Sequence, residues 1–317
     1  MERQVPRPAP SKEPRVFKLL FGTLATIAII CVGTALARGV RDATPFLPGH
    51  VSTPATEVRV TFSPDGQRML WGTIGWKGGP GGWDIYESVK TPEGWSPPHS
   101  VSFNSTDNDF DPYFAPDGEG IYFFSSREGG LGKNDIWFAA FDHTTGRYDT
   151  PINLGPNVNS AGDEWAPALS NDGQILLFSS DGRGGEGGHD LFFAARERDG
   201  WAKAEPVPPP VNGPNDDFDA TFLPDDSGIV MASGKIKMDD VKLYLSVITP
   251  GGFVKPQVIG NEINCPTGLT LGPSISREEP AILYFSSSCR KDGHGGMDIY
   301  RAPMPAYDWS RERNIRD

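Results

Sequence analysis

The feature that most constrains the fold of this chain is a short turn motif that recurs five times at nearly constant spacing. The motif reads SPDG from Ser63, APDG from Ala115, SNDG from Ser170, LPDD from Leu223 and SREE from Ser276, at intervals of 52, 55, 53 and 53 residues. Proline, aspartate, asparagine and glycine favour tight turns. A repeat of this length is one supersecondary unit that cannot bury its apolar face alone, so neighbouring units must stack.

Two strand motifs follow each turn. The second strand of the repeat is clearest as IYFFSSR, ILLFSSD and ILYFSSS, and a glycine-rich loop follows it. The third strand begins with DIY at Asp84, DIW at Asp135, DLF at Asp190, KLY at Lys242 and DIY at Asp298. An aromatic residue and proline-rich sequence come next, which predicts a fourth, outer strand. Four short strands per repeat are typical of a β-propeller blade.

The N-terminal part of the body predicts how the propeller closes. TPFLPGHVSTPATE, from Thr44 to Glu57, matches TPINLGPNVNSAGDE, from Thr150 to Glu164, which is an outer strand with its connector. The fifth repeat, in contrast, ends after DIYRAPM without a comparable outer strand, and an unpaired edge invites aggregation. The sequence therefore predicts an all-β fold: a five-bladed β-propeller over residues 44–304, closed by an N-terminal outer strand and followed by a tail at 305–317.

The repeats resemble the WD40-like, or PD40, propeller repeats of TolB-type periplasmic proteins and of bacterial proteins associated with the outer membrane. The resemblance rests on the S/A-P-D-G turn, the YFSS strand, the glycine-rich loop and the DIY/DIW strand, and it covers nearly all of the exported body. It implies the propeller fold and a binding role in the cell envelope. It does not name a ligand, since one fold carries many functions.

The first residues predict a membrane-targeting helix. Residues 1–18 carry five basic side chains, and the segment from Leu19 to Leu36 is uncharged. A basic n-region on the cytoplasmic side, an apolar run and Ala35-Leu36-Ala37 fit a cleaved signal peptide over 19–37. Eighteen apolar residues also suffice for an uncleaved inner-membrane anchor over 19–36. Both alternatives place the body outside the cytoplasm, in the periplasm or another extracytoplasmic location.

Charge excludes several kinds of partner. The net charge is -12, and the basic residues of the first segment leave the rest of the chain more acidic still. We find no basic stripe, so nucleic-acid binding is not expected. The glycine-rich loops lack the spacing of a phosphate-binding loop, and no cofactor is expected. The predicted partners are a protein or cell-envelope ligand, and the inner membrane if the N-terminal segment is uncleaved.

Carboxylates recur at the entrance to each predicted innermost strand, a set that we call the ring position. Its residues are Glu57, Asp109, Glu164, Asp217 and Thr270. Like charges close to one axis raise one another's pKa unless a cation relieves them, which favours a cation, an amine or a basic protein surface as ligand. A repeating carboxylate also accepts hydrogen bonds from its own connector, and this architectural interpretation is the preferred one.

The connectors and the loops between second and third strands are predicted to emerge on one face, which ligands usually meet. The other candidate residues on this face are Asp107, Asp111, Asp163, Asp216, Asp219, Lys235, Lys237, His50, His189 and His294. The lysines lie in the fourth repeat, whose loop departs from the glycine-rich pattern. No H-x-x-H or H-E-x-x-H spacing occurs, so no metal site is predicted.

Two cysteines flank this face in the fifth repeat. Cys265 lies in the connector and Cys289 follows the second strand. In an oxidising compartment, a disulfide between them is expected.

These observations favour a non-catalytic, exported propeller that presents an acidic loop face to a protein or cell-envelope ligand. The alternative is a hydrolase or lyase acting on a carbohydrate or another small molecule, with ring-position carboxylates as acid and base. Trp76 and Trp83, in the first repeat's loop, are the candidates for a sugar-stacking wall. An active site must single out one or two carboxylates in different environments, and the ring shows little such asymmetry.

Overall fold

Strands are the main regular structure of residues 42–305, the part of the chain that the computed structural model describes. The predicted segments 1–18 and 19–37, and the predicted tail beyond residue 305, lie outside the described residues. Within residues 42–305, the only helical element is a 3-10 turn at Ile236–Met238. A helix long and apolar enough to cross a membrane was not found in this range.

The strands fall into one short N-terminal segment and five units of sequence. They are β1 (Thr44–Pro45); in unit one β2 (Thr56–Phe62), β3 (Arg68–Ile74), β4 (Trp83–Thr91), β5 (Gly94–Trp95) and β6 (His99–Ser100); in unit two β7 (Asp109–Phe114), β8 (Gly120–Ser125), β9 (Asp135–Asp142), β10 (Arg147–Tyr148) and β11 (Ile152–Asn153); in unit three β12 (Glu164–Leu169), β13 (Ile175–Ser180), β14 (Asp190–Glu197), β15 (Gly200–Trp201) and β16 (Glu205–Pro206); in unit four β17 (Asp216–Phe222), β18 (Gly228–Lys235), β19 (Asp240–Thr249), β20 (Gly252–Phe253) and β21 (Gln257–Val258); and in unit five β22 (Gly268–Ile275), β23 (Ile282–Ser287) and β24 (Asp298–Pro303).

Within each unit, the three long strands pair antiparallel in sequence order. The predicted outer strand is broken into two segments of two residues, both paired with the third strand. Proline explains the break in three units, because Pro97, Pro151 and Pro256 lie between or beside the segments and lack the N–H that a ladder needs.

The chain closes on itself as the sequence predicts. β1 pairs antiparallel with β24, with Thr44 opposite Arg301 and Pro45 opposite Tyr300. The next residue, Phe46, donates its N–H to the carbonyl of Ile299 at 2.7 Å, and its ring is buried. The N-terminal strand thus supplies the outer edge of unit five.

The innermost strands surround one axis. β2 contacts β7, β7 contacts β12, β12 contacts β17, β17 contacts β22, and β22 contacts β2. Apolar side chains such as Trp71, Ile121 and Phe178 fill the space between the stacked sheets and are fully buried. A short parallel pairing of β19 with β22, through Asp240 and Gly268, also joins units four and five into one nine-stranded sheet. Twisted sheets stacked around an axis form a β-propeller.

Each innermost strand carries the same irregularity, two residues after the ring position. The backbone there is left-handed in all five units, and the pairing register shifts at that point: Arg59 (φ 51°), Asp111 (φ 50°), Ala166 (φ 50°), Asp219 (φ 44°) and Gly272 (φ 60°). A bulge of this kind bends the strand and redirects a side chain. We call these five residues the axial bulges.

The two ends of the propeller differ in what forms them. The connectors 46–55, 101–108, 154–163, 207–215 and 259–267 share one end with the loops 75–82, 126–134, 181–189, 236–239 and 288–297, and we call this end the loop face. Four of these loops hydrogen-bond the start of the next innermost strand; for example, the Glu164 N–H donates to Asn134 O, and the Asp217 N–H donates to His189 O, both at 2.8 Å. The PDG-type turns form the opposite end, the turn face.

Candidate functional site

The ring-position carboxylates turn back onto their own connectors. Both oxygens of Glu57 accept bonds from Thr53, one from its N–H and one from its hydroxyl. Glu164 accepts the N–H and hydroxyl of Ser160 and the hydroxyl of Ser180. In all these contacts the donor lies on the connector or on the neighbouring second strand, so the carboxylate fixes the entrance to its innermost strand.

The other two carboxylates of the ring follow the same plan. Asp109 accepts the N–H and hydroxyl of Ser105 and forms an ion pair with Arg127. Asp217 accepts the Gly213 N–H at 2.7 Å. None of the four ring carboxylates is more than 2% exposed. They lie beneath the connectors and do not stand free at the mouth of the propeller.

Burial raises the pKa of three ring carboxylates, Glu57, Glu164 and Asp217. It raises the pKa of Glu57 to about 7 and that of Asp217 to about 6, against the hydrogen bonds from Thr53, Ser233 and Gly213, which lower it. The pKa of Glu164 is also raised by burial.

Unit five replaces the carboxylate with a covalent link. Thr270 occupies the ring position there, and its buried hydroxyl has no hydrogen-bond partner. Cys265, at the place of Ser105 and Ser160 in the other connectors, forms the predicted disulfide with Cys289, across a separation of 24 residues. The disulfide thus ties connector to loop in the one unit where a carboxylate does not.

An apolar cavity of about 260 Å³ opens on the loop face at the centre of the ring. We call it the axial cavity. Its wall takes the residue after the ring position from every unit: Val58, Phe110, Trp165, Phe218 and Leu271. Trp83, the first residue of β4, and Ile236, in the loop of unit four, also line it.

Two axial bulges, Asp111 and Asp219, are the charged groups lining this cavity, and both are nearly inaccessible to solvent. Burial raises the pKa of Asp111, and the negative charge of Asp219 raises it further, while the guanidinium of Arg59 acts in the opposite direction. Asp219 accepts the Gly272 N–H at 3.0 Å. The Oδ1 atom of Asp111 is buried without a partner.

Arg59 lies behind the axial cavity. Its Nη2 donates to the carbonyls of Pro167, at 2.9 Å, and Ala220, at 3.3 Å, which belong to units three and four. The side chain, only 1% exposed, therefore crosses the axis from unit one. Its Nε and Nη1 atoms have no hydrogen-bond partner. The axis thus holds one cation and two carboxylates.

A second group of charged residues lies on the loop face, where the loop of unit two meets the connector and loop of unit three. Oxygens of Asp163 and Asp181 and a ring nitrogen of His189 lie within 4.8 Å of one another. The Lys133 ammonium contacts both carboxylates, at 3.1 and 3.5 Å. The imidazole of His189 stacks on Trp165, with 3.8 Å between ring centres.

The remaining candidates are scattered. Asp107, Lys235, Lys237 and His294 are exposed, and Asp216 is half-buried and accepts the His189 N–H at 3.3 Å. His50 instead bonds the Ser88 hydroxyl at 3.0 Å, and burial lowers its pKa.

The two tryptophans considered as a sugar-stacking wall pack against different neighbours. Trp76 stacks on Tyr86, with ring planes 9° apart, whereas Trp83 lines the axial cavity.

The turn face has a larger cavity of about 470 Å³. Its polar side chains bond one another's turns: Arg277 donates to the carbonyls of Pro116 and Asn171, and Asn171 donates to Asp226. These hydrogen bonds hold the turns of different units together, so the polar side chains of this cavity already have a structural role.

Sequence reasoning missed Arg59, Asp181 and the apolar wall. The wall has a visible signal, since every residue that follows a ring position is apolar. Arg59 has none, because no residue type is common to the five axial bulges and arginine occurs at only one of them.

No protein-family model and no curated protein matches this chain. Solved structures do resemble this chain. One is a thermostable family-43 glycoside hydrolase, which superposes with a TM-score of 0.55 and 12% identity over 84% of this chain and 94% of that one. An endo-1,4-beta-xylanase from Bacteroides thetaiotaomicron has a TM-score of 0.52, 14% identity and coverage of 81% and 94%.

TolB from Acinetobacter baumannii, a protein of the type that the repeats resemble, is similar as well. Its TM-score is 0.48, with 15% identity over 80% of this chain. The matched region spans 56% of that TolB chain. At these identities the likeness is one of fold.

Proposed function

We propose that this chain is an extracytoplasmic, five-bladed β-propeller that acts as a non-catalytic binding module. It presents an acidic loop face to a protein or cell-envelope ligand, and a group of that ligand enters the axial cavity. The observation that carries the proposal is the apolar cavity with the unpartnered Asp111 Oδ1 at its floor. Five equivalent innermost strands in one cycle of contacts support the blade number. The disulfide supports the oxidising location.

The size and lining of the cavity indicate what enters it. Ligand pockets are typically about 300–1,000 Å³, so a cavity of about 260 Å³ suits one projecting side chain or a small ring. Its wall is apolar, and transfer of an apolar group from water into it is favourable. The buried Nε1 of Trp165 has no partner and offers one donor.

Charge further selects the entering group. Asp111 and Asp219 face a single guanidinium, that of Arg59, so one negative charge is unbalanced when both carboxylates are ionised. An ammonium group on an apolar stem would neutralise that charge and satisfy Asp111 Oδ1. Because burial raises the pKa of Asp111, binding of such a cation would displace a proton.

A binding role fits the ring better than catalysis does. General acid and base groups must reach the reacting atoms. Glu57, Asp109, Glu164 and Asp217 are instead buried and bonded to their own units.

The first test compares benzylammonium with benzyl alcohol, which has the same ring without the charge, by isothermal titration calorimetry on the full chain. We expect benzylammonium to bind more tightly, and Asp111→Asn to remove at least about ten-fold of its affinity, or about 1.4 kcal/mol. Asp107→Asn, an exposed carboxylate on the same face, is the control. Equal binding of the two probes would contradict the charge assignment.

The second test addresses the partner. A photo-cross-linking residue replaces Trp83 in the cavity wall, or Val258, which is 56% exposed on an outer segment. In intact cells we expect a discrete adduct from position 83 that Asp111→Asn abolishes, and no such adduct from position 258. An adduct that is indifferent to Asp111→Asn would place partner binding elsewhere.

A glycoside hydrolase is the second candidate. Asp111 and Asp219 have unlike surroundings at one cavity, as an acid and a base would. In addition, two similar structures with TM-scores above 0.5 are a glycoside hydrolase and a xylanase. The apolar wall argues against it, since sugar hydroxyls need polar partners. Release of aryl alcohol from aryl xylosides, lost in both Asp111→Asn and Asp219→Asn, would establish this activity. Its absence would favour the binding module.

A further inference from the structure

We propose that Asp163, Asp181 and His189 form a site for a first-row divalent cation, on the loop face of unit three. An oxygen of each carboxylate and one imidazole nitrogen lie within 4.8 Å of one another. Ligands of one zinc ion, at about 2.1 Å from it, are at most about 4.2 Å apart. Small side-chain rotations therefore bring the three groups into ligand distance.

Neighbouring groups already orient the two carboxylates. Asp163 Oδ1 accepts the Asn134 side-chain amide at 2.6 Å, and Asp181 Oδ1 accepts the backbone N–H of Asp163 at 2.7 Å. The Oδ2 atoms of both carboxylates are thereby left for a shared cation. Metal ligands are commonly held in this way by a second layer of hydrogen bonds.

The imidazole supplies the observation that is independent of the carboxylates. His189 is 8% exposed, and its Nε2 is buried without a hydrogen-bond partner. The ring is held in place by stacking on Trp165, and the backbone N–H of His189 donates to Asp216 Oδ1 at 3.3 Å. A buried polar atom without a partner costs about 1–3 kcal/mol, which coordination of an ion would recover.

A cation already uses part of this site. The Lys133 ammonium lies 3.1 Å from Asp163 Oδ2 and 3.5 Å from Asp181 Oδ2. The Lys133 side chain is 64% exposed, so it can leave without opening the core. The metal ion takes its place between the carboxylates and adds the imidazole bond that an ammonium does not provide.

The donor set selects the class of ion. One imidazole with two carboxylates suits Zn²⁺, Mn²⁺, Co²⁺ and related ions, whereas Ca²⁺ prefers six or more oxygen ligands. Only three protein ligands converge, which leaves coordination positions for water. The ion would lie beside Trp165, which also lines the axial cavity.

The test is calorimetric titration of the full, chelator-treated chain with Zn²⁺. We expect one site, at least ten-fold weaker in both His189→Gln and Asp181→Asn, and ten-fold weaker or worse for Ca²⁺. Asp181 is exposed, so its variant remains informative if the buried His189→Gln fails to fold. His143→Gln, an exposed histidine on the turn face, is the matched control and should bind as the unmodified chain does.

A variant of Lys133 gives a sharper test of the same site. Because its ammonium competes for both carboxylates, Lys133→Met should bind Zn²⁺ several-fold more tightly, while Lys203→Met, an exposed lysine elsewhere, should not. Co²⁺ should quench a fraction of the tryptophan emission that Trp165→Phe removes. An unchanged affinity for Zn²⁺ in Asp181→Asn, or weaker binding in Lys133→Met, would overturn the proposal.

Discussion

At the scale of single residues, carboxylates in this protein are held by burial and by local hydrogen bonds. Glu57 is fully buried, and its bonds come from one connector residue, Thr53. Burial outweighs these bonds and raises its pKa from 4.5 to about 7. The folded chain therefore binds a proton here that the unfolded chain releases.

This difference makes stability depend on pH. A raised carboxyl pKa adds stability that is complete below about pH 4.5 and is lost as the pH rises to about 7. We expect Glu57→Gln to flatten that part of the stability curve, where one proton contributes at most about 1.4 kcal/mol per pH unit. Urea unfolding from about pH 4 to about pH 8 measures the slope.

The control is Glu93→Gln, which makes the same change on an exposed side chain. It should leave the slope as it is. A curve for Glu57→Gln that runs parallel to that of the unmodified chain would mean that Glu57 is ionised throughout this range.

The sequence predicts single residues unevenly. The ring position is visible because carboxylates recur there, and the sequence also places Asp111 and Asp219 among the loop-face candidates. The interaction of these two with Arg59 was not predictable, because it depends on a left-handed residue in every innermost strand, and only aspartate occurs there more than once. A shared backbone conformation leaves no pattern when the side chains differ.

At the scale of elements, the connector is the part of each unit that is tied most specifically. Asn104, Asn159, Asn212 and Asn264 each place a side-chain amide against the third strand, where it bonds both backbone groups of one residue. For Asn159 that residue is Ile136, at 2.8 and 2.9 Å. The amide acts as an additional strand residue.

We expect Asn159→Ala to lower the free energy of unfolding by about 1–3 kcal/mol, because the Ile136 N–H and carbonyl stay buried without partners. Chemical denaturation measures the loss. The control is Asn108→Ala, because Asn108 lies on a connector but its side-chain amide does not take part in this pairing. This variant should lower the free energy of unfolding by less. Similar losses in the two variants would show that the pairing itself adds little.

The disulfide is the corresponding tie of unit five. The double variant Cys265→Ser, Cys289→Ser should lose about 3 kcal/mol of unfolding free energy, since a loop of 24 residues is no longer closed in the unfolded chain. A reductant should destabilise the unmodified chain to the same extent and leave the variant unchanged. Sensitivity of the variant to reductant would point to another cause.

Elements were predictable where residues repeat by type. The turns and three long strands of each unit follow from the motifs, whereas the outer strand is split because prolines remove ladder donors. The connector asparagines were missed although they recur at intervals of 55, 53 and 52 residues. Their neighbours differ, as FNS, VNS, VNG and INC, so the motif is one residue long.

At the scale of the whole molecule, stability depends on closure. Each unit packs its faces against two neighbours, and unit five obtains its outer edge from residues at the other end of the described chain. Phe46 anchors that edge: its ring packs against Phe62 of unit one and Tyr284 of unit five, with ring centres 6.0 and 5.1 Å away. One side chain thus joins the first and last units.

We expect Phe46→Ala to lower the free energy of unfolding by about 3 kcal/mol, the ordinary cost of removing a buried phenyl ring. If the ring also secures closure, hydrogen exchange should rise first in β24, whose pairing with β1 depends on it, and later in the central strand β13. Ile152→Ala, at a side chain that is 62% exposed, should change neither quantity. Loss of stability with unchanged order of exchange would mean that Phe46 contributes only to the core, and that β1 closes the propeller through its backbone bonds alone.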